Sequence, residues 1–73
     1  MLNPDEINKR FSFHPATDKS RPQHEDARSI IRGAAIQVNK VIPDGREAAV
    51  VMTKLEEALM WANKAIAMHD PVV

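Results

Sequence analysis

The chain has 73 residues, no cysteine, and ten acidic against ten basic side chains. A chain this short buries only about 60% of its unfolded surface, and with disulfides excluded, self-association is the stabilisation that we expect. The balanced charge gives no attraction to DNA or to a membrane, and the longest apolar runs, Ala48–Met52 and Ala58–Ala62, are far shorter than the roughly 20 residues that a bilayer requires. No signal-peptide segment follows Met1, so we expect a cytosolic protein.

The first 22 residues form an arm without sustained periodicity. Asn3 is a suitable N-cap, Pro4 suits the first helical position, and Asp5 and Glu6 suit the first turn, which predicts a short helix over about Pro4–Arg10. Two further prolines favour extended backbone around them, so the segment FSFHPATDKSRP that follows is predicted to be extended.

Two long helices are predicted after this arm. Residues 23–42 carry apolar side chains on one helical face, and a second helix is predicted over residues 45–69. In the turn between them, Asp44 is predicted to cap the second helix, with Glu47 as its capping-box partner. Because this turn is short, the helices should pack antiparallel, and residues 1–73 should form one all-α hairpin domain. The face of the first helix comprises Ala27, Ile30, Ile31, Ala34, Ala35, Val38, Val41 and Ile42.

The second helix has more apolar surface than one partner helix covers. A first set is predicted to face the other helix, and a second set lies on other faces, which favours a homo-oligomer of undetermined size. The alternative is that Met60 and Trp61 are simply exposed. The first set is Ala48, Val51, Leu55, either Ala58 or Leu59, Ala62 and Ile66, and the second is Val50, Met60, Trp61 and Met68.

The available chemistry favours binding over catalysis. No serine–histidine–aspartate, HExxH or GxGxxG arrangement is present, and three scattered histidines do not form a metal site, so we expect no enzyme, no metal and no cofactor. An aromatic-and-basic group is present instead, and aromatic rings stack on nucleobases while cations pair with phosphates. The alternative is that Arg28 and Arg32 form surface ion pairs with acidic residues while the phenylalanines close the end of the hairpin. The group contains Phe11, Phe13, His14, Lys19, Arg21, His24, Arg28 and Arg32.

Four segments in order carry a resemblance to a known family. They are FSFHP (residues 11–15), the helix bearing Arg28 and Arg32, PDGRE (residues 43–47) and MWANKAIA (residues 60–67). This set resembles the bacteriophage anti-CBASS sponges, which sequester cyclic oligonucleotide signals and share their helical hairpin with sponges that counter Thoeris defence. The resemblance extends over nearly the whole chain from Phe11 onward.

The resemblance implies a homohexamer in the cytoplasm of an infected bacterial host. It implies pockets for cyclic dinucleotides such as cyclic GMP-AMP between paired protomers and, in some members, separate pockets for cyclic trinucleotides. Phe13 stands where the family has a pocket tyrosine, and Arg28 matches its basic position on the first helix. The expected ligand-binding residues are thus Phe13 and Arg28, then Lys19, Arg32, Phe11 and His14. A sponge for cyclic ADP-ribose-type signals and a purely structural interaction module remain as alternatives.

Overall fold

Three helices account for the regular structure of this chain. A computed structural model describes residues 3–11 and 15–70. Within these residues the helices are α1 (Pro4–Phe11), α2 (Arg21–Val41) and α3 (Arg46–Met68). Helices α2 and α3 pack against each other as a hairpin, and the described residues contain no strand. The predicted all-α hairpin with a short N-terminal helix is confirmed.

Helix α1 begins as its sequence predicts. The backbone N–H of Glu6 donates a hydrogen bond of 2.8 Å to Oδ1 of Asn3, so Asn3 is the N-cap. An exposed ion pair of 3.4 Å joins Glu6 to Arg10 one turn later. At the end of α1, Nζ of Lys64 donates a hydrogen bond to the carbonyl oxygen of Arg10, which ties this helix to α3.

Helix α2 starts two residues earlier than predicted. Arg21 and Pro22 form its first two positions, where the missing N–H of proline removes no helical hydrogen bond. Residues 15–17 have no regular structure and residues 18–20 form a turn, so the predicted extended segment is shorter than its sequence suggested. Its residues 12–14 lie outside the described part of the chain.

The predicted cap of α3 is wrong. Gly45 is the N-cap, with φ +146° and ψ −168°, a backbone conformation that is essentially restricted to glycine. Asp44 therefore lies one residue before the cap and Glu47 occupies the second helical position, whereas a capping box requires a glutamate at the third. Within the described residues no side-chain hydrogen bond caps this helix.

The seam between α2 and α3 has the three-four spacing of a coiled coil. On α3 the seam uses Leu59 rather than Ala58, which is exposed, and it adds Met52 to the predicted set. On α2 the predicted face is divided, because Ile30, Ala34 and Val41 point away from the seam and are exposed. The half-buried seam residues are Ala27, Ile31, Ala35 and Val38 of α2 with Ile42 just after it, and Ala48, Val51, Met52, Leu55, Leu59, Ala62 and Ile66 of α3.

The hairpin has no enclosed apolar core. Its Cα atoms span 46 × 32 × 13 Å, so the molecule is about one helix layer thick. None of the apolar residues in the described ranges is buried. Met60 and Trp61 are 69% and 66% exposed, as expected for residues outside the seam. A large apolar surface is thus available for association.

No helix within residues 3–11 and 15–70 is apolar over a length that would cross a bilayer.

Candidate functional site

Arg28 lies at a cavity beside the open end of the hairpin. The cavity has a volume of about 470 Å³, which is within the range of ligand pockets, roughly 300–1,000 Å³. Helix α2 contributes four of the lining residues, α3 contributes Asn63, and the chain before α2 contributes Pro15 and Ala16. We call it the Arg28 cavity; its lining residues are Pro15, Ala16, Arg21, His24, Glu25, Arg28 and Asn63.

Helical periodicity places two arginines on the same side of this cavity. Arg21 and Arg28 are seven residues apart, which is two turns and about 10 Å along α2. Arg21 donates a hydrogen bond of 2.9 Å to Oδ1 of Asp18, but both side chains are exposed, so this ion pair is weak and an incoming anion can compete for Arg21. Among the described residues Arg28 forms no ion pair. Of the two cations that line this cavity, Arg28 is therefore the more available to a negatively charged ligand.

His24 is held in the cavity by a contact between the two long helices. Its Nδ1 lies 2.8 Å from Oδ1 of Asn63. If Nδ1 carries the proton, it donates to Asn63 and leaves Nε2 as an acceptor; in the doubly protonated ring Nε2 is a second donor. Within the described residues Nε2 has no hydrogen-bond partner, so it is available to a ligand. The imidazole can then recognise a base edge or a phosphate oxygen.

Arg32 continues the arginine series one turn beyond Arg28. The two side chains border a second, mostly apolar hollow of about 310 Å³. Arg32 does not line the Arg28 cavity, and among the described residues it forms no ion pair. The predicted alternative, in which both arginines are neutralised by surface pairs with acidic residues, is therefore not what the described residues show. The hollow is lined by Arg28, Ile31, Arg32, Met52, Leu55, Glu56 and Leu59.

The remaining predicted site residues are dispersed. Lys19 is exposed in the turn before α2. Phe11 is 84% exposed and borders a separate hollow of about 580 Å³, together with Trp61 and Lys64 of α3, so it neither closes the hairpin nor lines the Arg28 cavity. Phe13 and His14 lie outside the described residues, although Pro15, which follows them in the sequence, is part of the cavity wall.

Four polar lining residues, Arg21, His24, Glu25 and Asn63, were not among the predicted ligand-binding residues. Arg21 and His24 belonged to the aromatic-and-basic group, but the predicted helix began at residue 23 and excluded Arg21; a helix that included it would have placed Arg21 and Arg28, seven residues apart, on one face. Asn63 lies within the MWANKAIA segment, but its contact with His24 spans 39 positions. No local pattern in the sequence indicates that pairing.

The comparisons with known proteins agree with this architecture. No curated protein and no solved structure matches the chain significantly. The family model described as the Acb2/Tad1 hairpin domain matches residues 3–67. This span runs from the N-cap of α1 to the last turn of α3, and thus includes α2 and the turn after it. The resemblance to anti-CBASS and Thoeris sponges is thereby confirmed, and the chain belongs to the Acb2/Tad1 hairpin domain family.

Proposed function

We propose that this protein is a phage anti-defence sponge that binds cyclic oligonucleotide second messengers, chiefly cyclic dinucleotides such as cyclic GMP-AMP, without cleaving them. Capture would lower the free signal in the cytoplasm of the infected host and prevent activation of CBASS effectors. Membership of the Acb2/Tad1 hairpin family is consistent with an anti-defence sponge role. The single observation that most supports the ligand class is Arg28, an arginine without an ion pair among the described residues, at a cavity of ligand size.

The chemistry of the lining suits a phosphate-containing ligand. Arg28 supplies a planar cation that pairs with phosphate through two parallel hydrogen bonds, and Arg21 adds a second cation on the same face of α2. Glu25 opposes them with a single negative charge, so the lining retains a positive balance. Phe13 is proposed to stack on a base, Lys19 and Arg32 to contribute secondary phosphate contacts, and His14 to order the loop. Because the arginine contacts are electrostatic, binding should weaken as salt concentration rises.

The proposal includes a homo-oligomer, with a hexamer as the form implied by the family resemblance. A cyclic dinucleotide has two bases and two phosphates, and a pocket between two copies supplies matching groups to each half. The exposed apolar side chains of α3, Met60 and Trp61 among them, offer the surface that such association needs. A charge-assisted contact contributes about 1.5–3 kcal/mol, so duplication by symmetry brings nanomolar affinity within reach.

A thermal-shift panel tests this function directly. Purified protein is heated with cyclic GMP-AMP, cyclic di-GMP, cyclic di-AMP, cyclic tri-AMP or cyclic ADP-ribose, and a bound ligand raises Tm. Ligand released by heat is then analysed by chromatography. A sponge returns it intact, whereas an enzyme returns product.

Arg28→Ala and Arg46→Ala form a matched pair for this panel. Each removes one arginine, but Arg46 begins α3 at the opposite end of the hairpin from the Arg28 cavity. We expect Arg28→Ala to lose the thermal shift and Arg46→Ala to retain it. A shift with cyclic ADP-ribose alone would indicate a Thoeris-type sponge, and the absence of any shift would leave a structural interaction module and refute the proposed function.

A further inference from the structure

Two polar residues are the most enclosed side chains of the described chain. Ser20 is 2% exposed and Asp70 is 7% exposed, whereas none of the apolar residues in residues 3–11 and 15–70 is buried. Withdrawing a hydroxyl and a carboxylate from water is unfavourable unless hydrogen bonds replace the lost solvent. We therefore expect Ser20 and Asp70 to form hydrogen bonds within the protein.

Thr17 connects these two residues. Its hydroxyl donates a hydrogen bond of 2.7 Å to Oδ2 of Asp70, a residue 53 positions later in the chain. The backbone N–H of Ser20 donates to Oγ1 of Thr17 at 3.1 Å, and the backbone N–H of Thr17 donates to Oγ of Ser20 at 2.9 Å. Thr17 and Ser20 are thus hydrogen-bonded to each other across the turn before α2, and Thr17 also joins this turn to the residue just beyond the end of α3. We call the Thr17–Asp70 contact, with its reciprocal Ser20 bonds, the polar clasp.

The polar clasp lies directly beside the Arg28 cavity. Pro15 and Ala16, the two residues before Thr17, form the non-helical part of the cavity wall. Asp70 immediately follows the C-cap residue of α3, His69, and its N–H bonds the carbonyl oxygen of Ala67, so its backbone is itself anchored to the helix end. The clasp therefore links the non-helical wall of the cavity to the end of α3.

We infer that the polar clasp is a positioning device for ligand capture: Thr17 and Asp70 hold the Pro15–Ala16 wall against the hairpin and thereby slow ligand release. This inference rests on the proposed function. A hydrogen bond to a charged acceptor is stronger than one between neutral groups, and a wall fixed before binding does not have to be ordered by the ligand. The clasp residues act through the wall and are not themselves ligand contacts.

Variants of Thr17 separate the hydroxyl from the shape of the side chain. Thr17→Val has nearly the same shape but loses the hydrogen bonds of the hydroxyl with Asp70 and Ser20, whereas Thr17→Ser retains the hydroxyl. In stopped-flow displacement with the panel member that raises Tm most, we expect Thr17→Val to increase the dissociation rate about tenfold and Thr17→Ser to remain near wild type. Equal rates for Thr17→Val and wild type would overturn the inference.

Two controls distinguish positioning from general destabilisation. Val38→Ala weakens the helix seam away from the cavity, and it should lower Tm without accelerating dissociation. Asp70 makes further interactions of its own, so its single variant does not report on Thr17 alone. A double-mutant cycle isolates the interaction between Thr17 and Asp70. Thr17→Val combined with Asp70→Ala should release ligand no faster than the quicker single variant. Independent, multiplying effects would show that the two residues do not act as one contact.

Hydrogen exchange tests the clasp without ligand. In the wild-type protein the amides of Thr17 and Ser20 donate to the two hydroxyl oxygens, and Asp70→Ala should accelerate their exchange about tenfold while amides in the middle of α2 remain unchanged. Unchanged exchange at Thr17 and Ser20 would overturn the clasp itself. If exchange responds as expected but wild type binds no member of the panel, the proposed function fails and the positioning role fails with it, while the clasp remains as a structural contact.

Discussion

Nδ1 of His24 and Oδ1 of Asn63 lie 2.8 Å apart, with one side chain from each long helix. Both residues are half-buried and lie at the end of the apolar seam, where α2 begins and α3 approaches its end. Because a hydrogen bond is directional, this contact restrains the rotation of α2 relative to α3. The same contact orients the His24 ring in the Arg28 cavity, so one pair of side chains contributes both to helix packing and to the shape of the cavity.

Asn63→Ala should therefore affect both stability and binding. We expect the free energy of unfolding, measured by urea denaturation, to fall by about 1 kcal/mol through loss of this hydrogen bond. Ligand affinity, measured by calorimetry, should fall as well because His24 loses its orientation. Asn39→Ala is the control, since Asn39 is exposed on α2 away from the cavity. If the Asn63 and Asn39 variants behaved alike, the contact would have no role in solution.

The two glycines should respond to alanine in opposite directions. Gly45→Ala forces an alanine into φ +146°, so we expect it to destabilise the fold by about 1–3 kcal/mol. Gly33 lies within α2, and a Cβ added there meets nothing within 4 Å. Gly33→Ala should stabilise the helix by about 1 kcal/mol. Thermal unfolding of both variants checks this, and a stabilising Gly45→Ala would contradict the backbone conformation at the turn.

Phe13→Ala should weaken ligand binding with little effect on helix content. Stacking of one aromatic ring on a base is worth about 1–3 kcal/mol, which corresponds to a loss of affinity of about fivefold to about 150-fold. Phe13→Tyr keeps the ring and should bind at least as tightly as wild type. Calorimetry gives the affinities and circular dichroism monitors the helices. Equal affinity for the alanine and tyrosine variants would exclude a stacking role for residue 13.

Trp61 provides the test of self-association. In a single chain its side chain is 66% exposed, so truncation would change stability by only about 0.5 kcal/mol. In an oligomer that covers this surface, Trp61→Ala should lower the free energy of unfolding by about 3–5 kcal/mol. The Tm of the wild-type protein should then also rise with protein concentration. Thr53→Ala, also exposed on α3, is the control and should be neutral. Light scattering that gives a monomer at micromolar concentration would refute the oligomer.

The sequence alone was enough to predict the hairpin and, of the residues that line the Arg28 cavity, Arg28 itself. Apolar spacing over many turns, together with the break at Pro43-Asp44-Gly45, indicated two long helices joined by a short turn, and the Asn3 cap of α1 followed from local chemistry. Arg28 was assigned from the family resemblance, and it lines the cavity. The helices, the turn and the Asn3 cap depend on interactions between residues that are close together in the sequence, so a sequence pattern is enough to predict them.

Other features were decided by the tertiary structure. The choice of Leu59 over Ala58 for the seam, and the exposure of Ile30, depend on the rotation of one helix about its axis, which a period of 3.6 residues defines only within a broad face. The cap at Gly45 depends on a backbone conformation that the sequence does not specify, and the Asp44–Glu47 pattern led instead to the wrong prediction of a capping box. The contacts of His24 with Asn63 and of Thr17 with Asp70 span 39 and 53 positions. Such pairs arise only when the packed helices bring distant side chains together, so a pattern within either segment does not reveal them.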